Sequence, residues 1–389
     1  MNKTMNNFTY YNPTKIIFGE NVIPQIAKEI PTNARILITY GGGSIKENGV
    51  YDQVMTALKG FSVFEFGGIE PNPQYVTLMK AVEICRKENI EFLLSVGGGS
   101  VLDGTKFIAA AAHFRGEPWD IPEKQAKVTD VIPLGAVLTL PATGSEMNAF
   151  AVISRKETGQ KLAFGAPPLT NPKFSVLDPG FTRSLSRRQR GNGVVDAFVH
   201  VTEQYMTYPQ NAPLQDRYAE AILKTLIEEG PAYVNDPENM TAAKNVMWSA
   251  TMALNGLIVT GLIPDWATHS IGHELTALHN IDHARTLAIV WPGMMRVMSQ
   301  SKKEKLLQFS ERVWSITEGD ENERIVIAIA KTEAFFNSLG VPTRLTDYQL
   351  DKSTIDNVVE NLKRNGFTAL GERKMVTPEK VESILLDRL

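Results

Sequence analysis

A chain of 389 residues with one cysteine and six histidines has few soft or borderline metal ligands to place. The lone thiol, Cys85, cannot close an internal disulfide. It follows Ala81-Val-Glu-Ile84, which reads as helix, so it is expected as buried filler in a reducing compartment. No apolar run approaches the roughly 20 residues of a membrane span. Charge of one sign is not in excess: 40 basic against 43 acidic residues leave −3, which argues against nucleic acid or an anionic membrane as partner. The densest basic run, Arg187-Arg-Gln-Arg190, reads as a solvated helix start rather than a phosphate site. Met1 to Tyr11 is polar and lacks the apolar core of a signal peptide, so a soluble cytoplasmic protein is expected. Solenoid repeats and low-complexity stretches are missing too.

What remains is an ordinary globular composition, 43% hydrophobic and 21% charged, long enough for two or three domains. From Ile16 to about Asp178, short β-branched runs alternate with helical patterns. Arg35–Tyr40, Phe61–Phe66, Glu91–Val96 and Val131–Leu140 read as strands. Tyr51–Lys59, Gln74–Lys87 and Val101–His113 read as helices. That alternation implies βαβ units and a parallel sheet covered on both faces. Ala151–Ser154 and Lys161–Phe164, on either side of Thr158-Gly159, read as a hairpin appended to the sheet. Beyond Phe181 helical periodicity dominates: Gly193–Met206, Leu214–Glu229, Ala242–Ile258, Ala267–Leu278, Ala284–Ser299, Lys303–Ile316 and Arg324–Leu339. The expected organisation is an α/β domain over residues 1–183 and an all-helical domain over 184–389, with an active site in the cleft between them.

Glycine turns belong to the first half. Gly41-Gly42-Gly43-Ser44 follows the first strand and Gly97-Gly98-Gly99-Ser100 the third, each where a strand hands over to a helix. Free amides and the helix dipole at such a turn can hold phosphate, and a side chain there would keep it away. Neither turn fits Gly-x-Gly-x-x-Gly, because Lys46 and Leu102 fall at the sixth position. A tight turn alone explains either one, and Ser100-x-x-Asp103 is also a plain capping box. Two such turns in one parallel-sheet domain favour a dinucleotide. Thr139-Leu-Pro-Ala-Thr143-Gly-Ser145 adds hydroxyls and a glycine at another strand end.

Histidines belong to the second half, with five of the six between residues 200 and 283. Asp196 and His200 are four apart, as are His269 and His273, so on helices each pair shares a face. One such pair is ambiguous; two in a chain this poor in histidine point to a divalent metal of oxygen or nitrogen preference, iron or zinc. The order His-x3-His-Glu274 is not the His-Glu-x2-His of zinc proteases.

Together these phrases resemble the iron-containing alcohol dehydrogenases, a family with the dehydroquinate-synthase-like fold. The resemblance runs from Pro13-Thr-Lys-Ile-Ile-Phe-Gly19 to the last helices. Its anchors are the two glycine turns, Glu70-Pro-Asn72-Pro73, Thr139 to Glu146, Asp196-x3-His200 and His269-x3-His273-x9-His283. Asn192 to His200 and Pro264 to His269 are similar to the bacterial NADPH-dependent aldehyde reductase and butanol dehydrogenase branch. The resemblance implies that Asp196, His200, His269 and His283 bind the metal, and that His273 lies near nicotinamide and substrate without being a regular ligand. It implies a pyrophosphate loop at Gly97 to Ser100 with Asp103 beside it, cofactor contacts from Asn72, Thr139, Thr143 and Lys161, and an adenosine-ribose site at Gly41 to Ser44. His279 matches no ligand position and reads as an exposed helix-end residue.

The expected activity is metal-dependent, NADPH-linked, reversible reduction of short and medium aldehydes to primary alcohols, with Fe(II) or Zn(II) as the metal. His273 or a water relay would protonate the alkoxide. No acid follows the first strand before Glu47, whereas NADH-preferring turns often place one there. Phe150, Phe198, Trp266, Ile271 and Leu275 suggest an apolar pocket, which disfavours the phosphate-bearing polyol of dehydroquinate synthase. Glycerol or another polyol dehydrogenase is a nearer rival, and a non-catalytic nucleotide or metal sensor is the alternative of a different class. Similarity suggests a homodimer, by edge-strand pairing near the N terminus.

Overall fold

The computed structural model describes residues 4–389. The chain divides into two compact units: a sheet unit of Tyr11–Leu185 with Pro237–Asn255, and a helical unit of the segment ending at Tyr10, Ser186–Asp236 and Gly256–Leu389.

The sheet unit carries β1 (Lys15–Phe18), α1 (Ile26–Glu29), β2 (Arg35–Thr39), α2 (Ser44–Glu47), α3 (Val50–Ala57), β3 (Ser62–Phe66), α4 (Tyr75–Glu88), β4 (Phe92–Gly97), α5 (Gly99–His113), α6 (Asp120–Glu123), β5 (Leu134–Leu138), β6 (Phe150–Arg155), β7 (Gln160–Gly165) and β8 (Phe174–Leu177). Six strands form one parallel sheet in the order β1-β8-β5-β4-β2-β3. β4 is buried along its whole length, as a strand covered on both faces must be. Side chains alternate between two cores. Leu37 and Leu93 pack with Leu78, Ala81, Leu102 and Phe107 of α4 and α5. Ile36, Ile38, Leu94 and Val96 pack with Val50 and Val54 of α3. That period of two, applied to β-branched and leucine-rich runs, makes the layered arrangement.

The α/β plus all-α class holds, with differences in detail. β1 and β8 were not among the strands expected. The hairpin is not part of the large sheet: β6 and β7 pair antiparallel as a sheet of their own. β5 starts at Leu134, because Pro133 has no N–H to give a ladder. The Ser100–Asp103 capping box does not form; Gly98 is the N-cap of α5 and no side chain caps it. Cys85 is buried in α4.

The helical unit continues with α7 (Arg187–Tyr205) and α8 (Pro213–Asn235). After α9 (Met240–Ala253), which belongs to the sheet unit rather than to the helical half expected, come α10 (Ala267–His279), α11 (His283–Val297), α12 (Lys303–Arg312), α13 (Glu321–Ser338), α14 (Lys352–Arg364) and α15 (Pro378–Leu386). Ser186 and Gln189 close a capping box on α7. The basic run behind it is not simply solvated: Arg190 is buried on the Val234 carbonyl and Arg188 pairs with Asp282. α7 is the hub of the unit, with Phe198 packed edge-on or tilted against Trp291, Phe309, Phe335 and Phe336 at ring separations of 5.4–6.5 Å, a geometry aromatic pairs favour. α8 runs on through Pro231, where a mid-helix proline predicts an end. No helix among the described residues is long and apolar enough to cross a membrane.

Candidate functional site

In the helical unit, α7 brings Asp196 and His200 to one face, α10 brings His269, and His283 stands at the first position of α11. One ligand-type atom from each of these four residues lies within 4.8 Å of the others, and all but His283 are buried. Two ligands across a zinc or iron ion are at most about 4.2 Å apart, so shifts of a few tenths of an ångström per group would close the set. The chemistry also fits. Burial lowers the His200 pKa to about 4, with His269 adding to the effect and Asp196 opposing it, so the ring is neutral and can coordinate at pH 7.

Carboxylates stand behind or beside two of these four residues, His269 and His283. Glu203, one turn past His200, accepts from the His269 backbone N–H at 3.2 Å and lies 3.1 Å from its Nδ1. With Nδ1–H donating to this carboxylate, Nε2 is left as the atom that could coordinate a metal, the arrangement metal-binding histidines usually adopt. Asp282, next to His283, is held by Arg188 and Asn192 at 2.8 Å each. Burial opposes its charge, but these donors win and lower the carboxyl pKa. At the start of α10, Trp266 adopts a left-handed backbone, φ 64°, and its ring meets His269 edge-on at 5.0 Å. Such a conformation costs an aromatic residue about 1–3 kcal/mol and persists only where the surroundings impose it.

His273, one turn past His269, is half-buried, and its ring centre is 5.0 Å from that of His283. It is beside the four-residue cluster and not a member of it. His279 is at the end of α10 as expected, but half-buried rather than exposed.

The dinucleotide candidates gather in the sheet unit. Gly97 ends β4, and Gly98, Gly99 and Ser100 lead into α5. Thr139 donates its N–H to the Gly97 carbonyl at 3.0 Å. A Cβ on Gly99 would stand 2.5 Å from Thr143, so glycine is what lets these two segments touch. Lys161 of β7 donates to the Asn72 side chain at 2.9 Å. Asp103 is placed differently from a free cofactor carboxylate: it is half-buried and already engaged, accepting from Ser145 Oγ at 2.7 Å and from the Val152 N–H at 2.9 Å. Lys106, one turn on, donates to Ser145, Asn148 and the Phe150 carbonyl. Gly41 to Ser44 follow β2 and lead into α2, with Gly43 at φ 103°.

Two features escaped the sequence reading. Glu203 shares the face of Asp196 and His200 at i, i+4, i+7, a spacing that could have found it. Glu65 supplies the acid thought missing before Glu47: it sits on β3 opposite Ile38 of β2 and accepts from Lys46, Tyr51 and Tyr40. The expected apolar pocket also shrinks. Phe198, Ile271 and Leu275 are fully buried core residues; Trp266, half-buried, and Phe150, 58% exposed, are the two with surface to offer.

Comparison with known proteins extends across both units. The family described as iron-containing alcohol dehydrogenase matches residues 13–179, and the C-terminal part of the Fe-containing alcohol dehydrogenase family matches residues 192–388. The chain is 57% identical to the NADPH-dependent aldehyde reductase YqhD of Escherichia coli, over 96% of this chain and 97% of that protein. It is 44% identical to a probable NADH-dependent butanol dehydrogenase of Bacillus subtilis, over 98% and 99%. A solved structure of NADH-dependent butanol dehydrogenase A from Thermotoga maritima matches with TM-score 0.94 and 36% identity over 99% of each chain. The crystal structure of Escherichia coli YqhD gives TM-score 0.98 at 55% identity, over 99% of this chain and 100% of that one. With both units matched end to end, this chain belongs to the iron-containing alcohol dehydrogenase family.

Proposed function

We propose that this chain reduces short and medium aldehydes to primary alcohols with NADPH, reversibly, at a site holding one Fe(II) or Zn(II). The observation carrying the reading is the convergence of Asp196, His200, His269 and His283 in a chain so similar to an NADPH-dependent aldehyde reductase. When bound, the divalent ion supplies Lewis acidity toward a carbonyl oxygen, a contribution of several kcal/mol. The chain's residues do the rest. The amides of Gly97 to Ser100 at the head of α5 hold the pyrophosphate, with Thr139 and Thr143 alongside. Lys161, steadied by Asn72, orients the nicotinamide ribose. Gly41 to Ser44 meet the adenosine ribose, and Lys46 faces the 2′-phosphate. Bound NADPH would supply the hydride to the carbonyl carbon, and His273 would deliver the proton that the developing oxyanion needs.

Asp103 acts here as a brace under the pyrophosphate turn. The chemistry requires cofactor and metal residues to share one substrate. We further propose a cytoplasmic homodimer, supported by β1, which among the described residues pairs with β8 alone and leaves a row of amides and carbonyls for a partner strand. Light scattering tests the dimer. Carbonyl-dependent oxidation of NADPH tests the activity, and its absence from the metal-loaded protein would leave the sensor reading in its place.

A further inference from the structure

Lys302, immediately before α12, is an unexpected place for a charge. Its side chain is 2% exposed, yet the ammonium pairs with the buried carboxylate of Asp265 and lies 3.3 Å from Glu372. It also donates to the Met206 carbonyl at 2.6 Å. Burial opposes the charge, but the Asp265 and Glu372 carboxylates outweigh it and raise the Lys302 pKa. Burying an ion pair is a poor route to stability, since apolar side chains of similar volume often do as well or better. Its partners suggest another use. Met206 caps the C terminus of α7, the helix of Asp196 and His200. Asp265 opens the turn into α10: its N–H donates to the Glu203 carbonyl at 2.9 Å, and its Oδ1 accepts from Ala267 at 3.0 Å. Left-handed Trp266 is between these two anchors, and His269 follows within one turn.

We propose that Lys302 is a positioning residue for the metal centre, a buried clamp joining the end of α7 to the Asp265 turn and thereby setting where His269 stands relative to Asp196 and His200. The inference rests on the metal-binding reading above. Neutralising the clamp would let the α10 N terminus relax from the strained Trp266 turn and carry His269 away.

The test is the Zn(II) dissociation constant of the full-length protein, by chelator competition, with melting temperatures of metal-free and loaded samples. Lys302→Met is expected to weaken Zn(II) by about 10–100-fold, the scale seen when supports behind metal ligands are lost. Lys305→Met is the control. Lys305 is on α12, nearly as buried, and pairs with Asp216 of α8 at 2.6 Å; its ammonium also lies 3.8 Å from the Tyr205 ring at the end of α7, but it does not bond the Asp265 turn, so its loss should lower the melting temperature and leave the Zn(II) constant within about threefold. Should Lys302→Met not fold, Asp265→Asn breaks the clamp from the other side while keeping the acceptor for Ala267, with the same expected loss. Zn(II) binding within threefold of the parent in Lys302→Met, or in Asp265→Asn in its place, would overturn the clamp. A parent protein that binds no Zn(II) would instead overturn the metal reading itself.

Discussion

Replacing Asp103 by asparagine separates two roles for a carboxylate next to a cofactor turn. As a direct ligand, it would weaken the cofactor and leave the fold intact. As a brace, it would do the reverse. Its Oδ1 takes the Ser145 hydroxyl, its Oδ2 takes the Val152 N–H, and Lys106 is its nearby cation. Asparagine keeps one acceptor, turns an N–H₂ toward a hydroxyl that already accepts from Lys106, and removes the countercharge. Losing a charge-assisted bond costs about 1.5–3 kcal/mol, and leaving a buried partner charge uncompensated costs several more in the worst case. Lys106 keeps four neutral acceptor contacts, and burial lowers its pKa to about 8 against the pull of Asp103 and Glu146, so the ammonium sheds its charge more easily than most. The balance is roughly 2–4 kcal/mol, or about 6–12 °C in melting temperature for a unit of this size. Scanning fluorimetry reads the stability, and steady-state kinetics below the transition read KM for NADPH, which should move less than about threefold. An unchanged melting temperature with a tenfold higher KM would refute the brace and make Asp103 a direct cofactor contact.

Other outcomes follow from the same geometry. His269→Ala or His283→Ala should abolish turnover and lower bound metal by elemental analysis at near-parent stability, because either opens the ligand set; full activity in a stable variant would remove the assignment. NADPH should be preferred over NADH by about tenfold or more in kcat/KM, ~1.4 kcal/mol, and Lys46→Ala should erase most of that; equal values in the parent would mean that Glu65 already cancels Lys46. Burial pushes the Cys85 thiol up to about 12, so a thiol reagent at pH 8 should label it only as fast as the protein unfolds. Since an unfolded thiol ionises near pH 9 and the folded one does not, its contribution is complete below pH 9 and is lost as pH rises toward 12.

Much of the fold was legible because its signals are local. β2 and β4 are continuous apolar runs, the glycine turns punctuate them, and the i, i+4 spacing of Asp196 and His200 put both on one helix face. What was missed depends on contacts distant in sequence. β8 is four residues long, and only its place between β1 and β5 makes it a central strand. Glu65 is a partner of Lys46 through the pairing of β2 with β3, which no local pattern records. Phe198 looked like pocket lining because it is between Asp196 and His200 in sequence. Two residues are about 200° of helix, so it faces the opposite way, into the aromatic core. Asp103 and Ser100 fit a capping-box spacing, yet α5 begins earlier, at Gly99, and tertiary partners claim the carboxylate.

The most direct test of the account is butanal-dependent oxidation of NADPH by the same preparation as purified, after stripping with a chelator, and after adding back Fe(II) or Zn(II). The account predicts reduction of butanal with kcat/KM above that for butan-1-ol oxidation at neutral pH, loss of activity on stripping and recovery with either ion. Undiminished turnover in the stripped protein, or turnover confined to a phosphate-bearing polyol, would contradict it.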